Sequence, residues 1–400
     1  MHLFEDYDIP KLLYYHINLY RPKGQSLKWK VAKMFKLIYR IIVKNFTLCG
    51  EYNTNPILYA DRFISRRKDI EVMIDNLVQT FDGKCDRLKW GKKRSISLKR
   101  IVENTFFCLG MRDLLKKYSF FEYIYALILF LEMRDVEDEL NAKVDIGKYC
   151  LCFCFYDAEP FQNCLIQYAK LHGCKTATLQ HGIMLAPREG VGNNLDFAGH
   201  EFQAFVSDFF LVWNQFTKKE AMKTGIQEEQ LKVLGVAKCV GMSQPQLPSD
   251  SSSIGVILDG KFEDENNIPM IMIVQTWAKK KKMKCVFRYH PDYYGNEFSN
   301  YINASSTVCP KGVSLYDFIR SVSFCVVANS TVLFELEYFC IPFLRYSSNG
   351  SLDKFRDYPS LNFTSIRSFD SAYKEMIAQP LRSFVKADAN YAEFFKQFID

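Results

Sequence analysis

The sequence contains no hydrophobic run long enough to cross a membrane and no start typical of a secreted protein. Its longest apolar stretch, Tyr118 to Met133, is shorter than the roughly 20 residues of a membrane span and includes Glu122. The first residues lack the basic start, apolar core and small-residue cleavage site of a signal peptide. We therefore expect a buried helix in this stretch and a protein of the reducing cytoplasm.

Cysteine pairs of the kind that bind zinc are missing as well. The chain has 13 cysteines, but no two are spaced as C-x-x-C. Cys150, Cys152 and Cys154 alternate within an apolar run, which is the periodicity of a β-strand. We expect these thiols to be buried as small hydrophobic groups, and we expect no metal site.

The fingerprints of the common nucleotide-cofactor enzymes are also absent. The G-x-G-x-x-G pattern of nicotinamide and flavin sites does not occur, and neither does a Walker P-loop. No D-x-D metal motif follows a predicted strand. The sequence therefore gives little support to a dehydrogenase or an NTPase, and we expect no bound cofactor.

What is present indicates a folded protein of two domains. A chain of 400 residues is longer than one hydrophobic core usually organises. Its 34 Phe and 23 Tyr argue against disorder, which requires few aromatic residues. Residues 1–145 are predicted to be mostly helical, with helices at 27–46, 66–81 and 118–140.

After residue 145, short strands alternate with helices, which predicts an α/β protein with a parallel sheet in each half. In residues 146–240, strands are predicted at 150–156, 175–180 and 209–213, with a helix at 161–172. A stretch rich in Pro, Ser and Gln follows Gly241. In residues 250–380, strands are predicted at 254–258, 284–289, 324–328 and 343–346, with helices at 269–281, 315–321 and 332–339. A helix at 387–398, within the last segment 381–400, is a candidate to pack back onto the first half.

Basic residues are concentrated in three runs, residues 28–44, 84–117 and 279–284, although the formal net charge is only +7. In the first run, apolar residues at helical spacing alternate with basic ones: Val31, Met34, Phe35, Ile38, Ile41 and Ile42 against Lys28, Lys33, Lys36, Arg40 and Lys44. The helix 27–46 either lies on an anionic membrane surface or packs on its own domain with its lysines in solvent. No nucleic-acid-binding motif accompanies the runs, so we expect no nucleic acid partner.

Polar residues that follow predicted strands are the first candidates for chemistry, because ligands of open α/β sheets bind at the carboxyl ends of strands. In the first half, Gln180, His181 and Gly182 follow one strand. His181 suits a general base, since an unperturbed histidine has a pKa of about 6.5. It suits a structural hydrogen-bonding role as well. If the base is a carboxylate, Asp157 and Glu159, which follow another strand, are the candidates.

In the second half, three predicted strands end in polar groups. Asp259 and Gly260 follow the first of these strands. Arg288 and His290 alternate at the end of the next, so both side chains can reach phosphate oxygens from one face. The last strand leads into a helix start, where the small polar residues Asn329, Ser330 and Thr331 either cap the helix or hold an anion. Glu335, one turn later, is placed to bond a ribose hydroxyl.

In this order, four segments resemble a known pattern: QHG at 180–182, FFLVWNQFTKKEAMKTGIQEEQLKVLG at 209–235, HP at 290–291 and NST at 329–331. Over roughly residues 150–350 the chain is similar to the GT-B glycosyltransferases of bacterial surface polysaccharide assembly. That group includes capsule Kdo transferases, bacterial polysialyltransferases and the glycerophosphotransferases of teichoic acid synthesis. Each motif is short, so the specificity lies in their order and spacing. The group often has paired serines where this chain has Ser330 and Thr331, a change that keeps the hydroxyls.

The resemblance implies two Rossmann-like domains facing across a cleft, with residues 1–145 as a helical N-terminal extension of the acceptor-side domain 146–240. Residues 250–380 would bind the donor, a sugar or polyol phosphate carried by CMP, CDP or UDP. The acceptor would be a surface polysaccharide or a lipid-linked oligosaccharide, beside His181, Gln180 and Gly182. The resemblance also implies inverting, metal-independent transfer. We expect the protein to be cytoplasmic and peripheral at the inner face of the cell membrane. A sugar-nucleotide epimerase of the same fold and a non-catalytic scaffold of an assembly complex are the alternatives.

Overall fold

The computed structural model describes residues 6–19, 26–60, 68–187, 202–247, 252–260, 264–347, 353–379 and 387–399. Within them the chain forms two compact units. The first comprises the described residues up to 187, residues 202–238 and the C-terminal residues from 388, and the second comprises residues 239–387. The predicted helix start at Arg66, residues 248–251 of the predicted linker and residues 381–386 of the last predicted segment lie outside the described residues.

The first unit is built on a six-stranded sheet in which every pairing is parallel. Its strands are β2 (Ile57–Ala60), β3 (Cys85–Arg87), β5 (Leu151–Cys154), β6 (Lys175–Leu179), β7 (Phe209–Val212) and β8 (Leu231–Val233). They lie in the order β3-β2-β5-β6-β7-β8. All residues of β2 and β5 are buried, as in parallel strands that are covered on both faces.

Helices surround this sheet: α1 (Ile9–Leu19), α2 (Leu27–Ile42), α3 (Lys68–Gln79), α4 (Leu98–Gly110), α5 (Arg112–Leu115), α6 (Phe120–Lys143), α7 (Pro160–Leu171), α8 (Gln215–Met222) and α13 (Ala387–Lys396). The buried helix predicted at Tyr118 to Met133 is confirmed as part of α6, which begins with a capping box between Ser119 and Glu122. The C-terminal helix α13 packs on the first unit through Phe395, whose ring lies 4.5 Å from that of Phe81.

The N-terminal third contains more strand than its sequence predicts. The predicted helix 27–46 ends at Ile42, and the chain continues as β1 (Val43–Leu48), which pairs antiparallel with β4 (Trp90–Ile96). Residues 43–48, VKNFTL, include β-branched and aromatic side chains that favour a strand. Strands β2 and β3 were not predicted either, so residues before 145 contribute two strands to the first sheet.

One of the three alternating cysteines differs from the prediction of buried thiols. Cys152 and Cys154 are buried within β5, and burial raises their pKa values well above the usual range. Cys150 is exposed instead, because the strand begins only at Leu151.

The second unit also has six parallel strands: β9 (Ser253–Ile257), β10 (Lys284–Arg288), β11 (Thr307–Val308), β12 (Phe324–Val327), β13 (Phe343–Tyr346) and β14 (Asn362–Phe363). Their order is β11-β10-β9-β12-β13-β14. Numbered along the unit this is 3-2-1-4-5-6, the strand order of a Rossmann fold. The direction of winding reverses between β9 and β12, and ligands of such sheets bind at the carboxyl ends of strands beside this switch point.

Four helices accompany the second sheet: α9 (Asp264–Lys281), α10 (Leu315–Arg320), α11 (Val332–Tyr338) and α12 (Ile366–Ala378). Helix α9 begins five residues before the predicted start, so Pro269 lies inside it. Helix α10 lies directly on β9, since a Cβ added at Gly255 would approach the Phe318 ring of this helix to 3.0 Å. Among the described residues, no helix is both long and apolar enough to cross a membrane.

Candidate functional site

At the carboxyl end of β6, a buried amide shapes the turn that presents His181. The Gln180 side chain is fully buried, and its Nε2 donates to the Gly182 carbonyl at 2.9 Å and to Thr217 Oγ1 at 3.1 Å. Its Oε1 accepts from the Trp213 amide at 2.8 Å. The amide thus connects its own turn to the residues after β7, and Gln180 is a framework residue of this edge.

His181 itself is half-buried and lies against aromatic rings. Its ring centroid is 3.9 Å from that of Tyr156 and 5.8 Å from that of Phe155, the two residues that follow β5. Gly182 has no positive φ, and a Cβ added there would meet no atom within 4 Å. The turn therefore does not require glycine, and the space beside the Gly182 Cα is open.

The two carboxylates that follow β5 hold local structure. Asp157 is only 4% exposed, and its Oδ2 accepts from the Ser207 hydroxyl at 2.7 Å and from the amides of Ser207 and Val206 at 3.0 and 3.1 Å. Burial raises the pKa of this carboxyl, although these hydrogen bonds favour its charged form. Glu159 is the N-cap of α7 and accepts from the Gln162 amide at 3.1 Å. Both carboxylates are therefore engaged in holding local structure.

In the second unit, a buried polar network connects the two strands at the switch point. Asp259, which follows β9, accepts from the Asn329 amide after β12 at 2.7 Å. The Asp259 amide donates to Asn267 Oδ1 at 2.9 Å, and Asn267 Nδ2 returns a bond of 3.0 Å to the Asp259 carbonyl. All three side chains are at most 5% exposed. The network fixes the ends of β9 and β12 relative to each other.

Gly260 and His290 meet above the neighbouring strands β9 and β10. A Cβ added at Gly260 would lie 3.4 Å from His290 Nδ1 and 3.5 Å from Asp292 Oδ2. His290 Nδ1 is itself 3.2 Å from Asp292 Oδ2, and the His290 side chain is 40% exposed. Glycine is therefore suited to position 260 because a larger side chain would crowd the imidazole.

Arg288 and His290 line one side of a cavity of about 240 Å³ at the carboxyl end of β10. The opposite side is formed by residues 308–313. Arg288 Nη1 donates to the Val313 carbonyl at 2.8 Å, and its guanidinium lies 5.6 Å from the ring centroid of Phe318. Part of the guanidinium therefore holds the cavity wall. The volume falls below the roughly 300–1,000 Å³ of pockets that hold a whole small ligand, so the cavity suits part of one.

The residues after Asn329 are half-buried and border the switch point. Ser330 Oγ accepts from the Val332 amide at 3.3 Å. Thr331 is the N-cap of α11, but its hydroxyl makes no capping bond within the described residues. Glu335 lies one turn into that helix and is also half-buried. Ser330 and Thr331 are thus partly exposed next to the buried Asp259–Asn329 link.

A buried ion pair, which the sequence did not predict, supports this edge. Arg345 on β13 is fully buried and donates through Nη1 and Nη2 to the two oxygens of Asp353, at 2.6 and 3.1 Å. The next residue, Lys354, donates its amide to Asn329 Oδ1 at 3.1 Å. A charged residue inside the otherwise apolar strand FLRY was the available signal. Asn267, in the first turn of α9, was missed in the same way.

Among the described residues, no group of three or more His, Cys, Asp or Glu side chains is arranged to hold a metal ion. The polar groups near the two sheet edges are instead single imidazoles, a guanidinium, hydroxyls, buried amides and separate carboxylates. Such groups bind and orient anions and move protons.

No family model and no curated protein sequence matches the chain. Among solved structures, the UDP-GlcNAc 2-epimerase from Methanocaldococcus jannaschii is similar, with a TM-score of 0.50 and 11% identity over 85% of this chain and 98% of that one. The UDP-GlcNAc 2-epimerase from Neisseria meningitidis, bound to UDP-GlcNAc, has a TM-score of 0.50 and 9% identity over 85% and 98%. The lipopolysaccharide outer core galactosyltransferase WaaB has a TM-score of 0.46 and 12% identity over 86% and 95%.

At these identities the likeness shows the fold alone. It confirms the predicted fold class, an α/β protein of two Rossmann-like units of the GT-B type. The two epimerases are enzymes that act on a nucleotide sugar, UDP-GlcNAc.

Proposed function

We propose that this protein is a glycosyltransferase that moves a sugar, or a sugar-like polyol phosphate, from a nucleotide-activated donor to a growing surface polysaccharide. The observation that carries the proposal is the edge at the switch point of the second unit. There the partly exposed residues His290, Ser330 and Thr331 border a buried framework, in the order of the motifs by which the chain resembles surface polysaccharide glycosyltransferases.

In the proposed donor site, the diphosphate or monophosphate lies near His290 and the hydroxyls of Ser330 and Thr331. Gly260 leaves room for close approach of the phosphate. The cavity beside Arg288 accommodates the part of the nucleotide farthest from the sugar, and Glu335 accepts from a ribose hydroxyl. Asp259 and Asn329 act as the framework that positions these groups. The donor is a CMP-, CDP- or UDP-linked unit, with no further cofactor.

In the proposed reaction with a sugar donor, a hydroxyl of the acceptor attacks the anomeric carbon, and the bond from that carbon to the phosphate oxygen breaks. With a polyol phosphate donor, the hydroxyl attacks the phosphorus that carries the polyol, and the bond from that phosphorus to the phosphate oxygen of the nucleotide breaks. The imidazole of His181 takes the hydroxyl proton, while the leaving nucleotide keeps the bonding electron pair as phosphate charge. His290 and the serine and threonine hydroxyls stabilise this charge by hydrogen bonds, which act without a metal ion. We propose inversion at the anomeric carbon. Gln180 and Gly182 shape the turn on the acceptor side.

A sugar-nucleotide epimerase is the second candidate. It is favoured by the likeness of the fold to two UDP-GlcNAc 2-epimerases with a TM-score of 0.50. An epimerase changes the donor sugar without an acceptor, whereas a transferase consumes the donor only when an acceptor is present. A scaffold with the same fold binds a nucleotide and turns nothing over.

The first test is a thermal-shift screen of the full chain with CMP, CDP, UDP, GDP and their sugar conjugates. We expect one nucleotide to raise the melting temperature, and we expect His290→Ala and Ser330→Ala to remove that shift. His172→Ala is the matched control, because this imidazole caps α7 at the other end of β6 and bonds the Tyr168 carbonyl. A shift that survives both substitutions would place the donor elsewhere.

Product analysis with the stabilising nucleotide sugar then separates the candidates. Donor loss that depends on an added polysaccharide or lipid-linked oligosaccharide supports the transferase. Conversion of the donor sugar with no acceptor would identify an epimerase. The substrates lead us to propose a cytoplasmic reaction at the inner face of the cell membrane, where such acceptors are extended.

A further inference from the structure

Helices α2 and α4 lie side by side on α6 and turn charged residues toward it. Lys36 Nζ and Arg40 Nη2 on α2 contact Glu132 Oε1 on α6, at 3.0 and 2.7 Å. On α4, Arg100 pairs with the buried Asp135 of α6. The basic residues of α2 were expected to alternate with an apolar face turned to the protein or the membrane, but several of them form the inner contacts.

A buried asparagine connects the two helices. Asn104 on α4 is fully buried, donates to the Ile41 carbonyl at the end of α2 at 3.0 Å and accepts from Arg134 of α6 at 3.1 Å. The two helices therefore form one layer on α6, and its inner side combines these charged and polar groups with apolar ones such as Trp29, Leu37 and Phe107.

The outer side of this layer is apolar. We call it the outer face, and it consists of Met34, Phe35 and Ile38 on α2 and of Val102, Phe106 and Leu109 on α4. Phe35 and Phe106 are 69% and 68% exposed, and the other four side chains are between 42% and 64% exposed. The three residues are spaced i, i+1 and i+4 on α2 and i, i+4 and i+7 on α4, and these spacings place them within one side of each helix. This outer side is unusual, since a helix on a protein surface normally turns its apolar stripe to the core and polar residues to solvent.

Basic side chains are exposed on the same elements and on the segments next to them. In residues 28–42 and 94–117, six basic residues and two acidic residues are exposed. The basic ones are Lys28, Arg94, Lys99, Arg112, Lys116 and Lys117, and the acidic ones are Glu103 and Asp113. One of the acids, Glu103, lies 3.8 Å from Lys99 and 3.4 Å from Arg134. The surroundings of the outer face are therefore net positive.

We propose that the outer face docks on an anionic lipid bilayer, with α2 and α4 lying in the plane of the membrane surface. Exposed apolar side chains with basic neighbours match a bilayer that offers acyl chains beneath anionic headgroups. A symmetric dimer through this face would bring two net positive surfaces together, which opposes self-association. This membrane contact would hold the protein at the place already proposed for its reaction. It rests on the proposed function in one respect only, namely that the acceptor reaches the protein from the membrane.

The test is co-sedimentation of the full chain with vesicles, without donor or acceptor, so its result is independent of transfer activity. We expect binding to phosphatidylcholine vesicles that contain phosphatidylglycerol, and much weaker binding to phosphatidylcholine alone. Phe35→Ser/Phe106→Ser should weaken binding to the anionic vesicles at least about tenfold. Lys99→Glu/Lys116→Glu should weaken it as well, and added salt should reduce the binding of the wild type.

The matched control is Met272→Ser/Ile377→Ser, which removes two exposed apolar side chains from the second unit, 51% and 62% exposed. It should bind vesicles like the wild type. A Phe35→Trp variant gives a second readout, a blue shift of its emission on anionic vesicles. The proposal fails if the wild type does not bind these vesicles, or if the outer-face and control variants bind equally. It also fails if the wild type is a dimer that Phe35→Ser/Phe106→Ser converts to a monomer, since the face would then join two copies.

Discussion

The carboxyl edges of the two sheets present candidate residues in a similar way but are held differently. After β6, the single buried amide of Gln180 shapes the turn that leads to His181. After β12, Asn329 is buried and precedes the half-buried Ser330, but it belongs to a network with Asp259, Asn267 and the Lys354 amide. In both places a buried polar residue is followed by the side chain that is accessible.

The difference lies in how much structure depends on each framework. The Gln180 side chain bonds only its own turn after β6 and the residues that follow the neighbouring strand β7. The network of the second unit joins two strands, the start of α9 and the segment after β13, which is itself fixed by the Arg345–Asp353 pair. We infer that the proposed donor edge is the more rigid of the two, as a site that stabilises charge by fixed hydrogen bonds requires.

The largest effect should come from the accessible residue of the first edge. We expect His181→Ala to lower the rate of acceptor-dependent transfer about 10²–10⁴-fold, the range of a lost general base. Nucleotide binding should stay unchanged, because the proposed donor groups belong to the other unit. The measurement is donor consumption with acceptor, alongside the thermal shift.

His172→Ala removes an imidazole from the same unit and should leave the rate near that of the wild type. If His181→Ala transfers at the wild-type rate, the base is another group, and the first edge does not present a catalytic residue at position 181.

A smaller but still large effect should follow from breaking the framework of the second edge. Arg345→Met leaves Asp353 buried and charged without its partner, which we expect to cost about 3–5 kcal/mol of unfolding free energy. Because Lys354 next to Asp353 bonds Asn329, the nucleotide-induced shift should fall too. Denaturant unfolding and the thermal shift measure the two effects.

The double variant Arg345→Met/Asp353→Leu is the control. Replacing both charges by apolar side chains should recover much of the stability, since no buried charge remains unpaired. Equal losses in the single and double variants would show that the ion pair does not hold this edge.

The sequence predicted the parallel sheets and the strand-end residues because both depend on local patterns. Strand β13 has the predicted bounds, and the residues predicted after β9, β10 and β12 border one edge of the sheet. Asn267 and Asp353 were missed because each meets its partner eight residues away, Asp259 and Arg345, outside its own strand or helix, and such a pairing follows neither the strand nor the helix period.

The N-terminal region shows the same limit in another form. The periodicity of residues 27–42 correctly predicts an amphipathic helix, but it does not determine which side faces the protein. That choice depends on Glu132, which contacts Lys36 and Arg40 but lies almost a hundred residues later in the sequence. The strands β2 and β3 were missed since runs of four and three residues carry too little periodicity.

The smallest of the three effects concerns Asp157 and sharpens the distinction between framework and accessible residues. Asp157→Ala leaves two buried amides and a hydroxyl without their acceptor, so we expect a loss of about 2–3 kcal/mol in unfolding free energy. Asp157→Asn keeps one acceptor oxygen and should recover part of this stability while transfer continues. A carboxylate base predicts the opposite, because Asn cannot take a proton: a stable protein whose transfer rate falls about 10²-fold or more. Measuring both stability and rate in the two variants therefore decides whether this carboxylate belongs to the framework, as its three hydrogen bonds indicate, or to the chemistry.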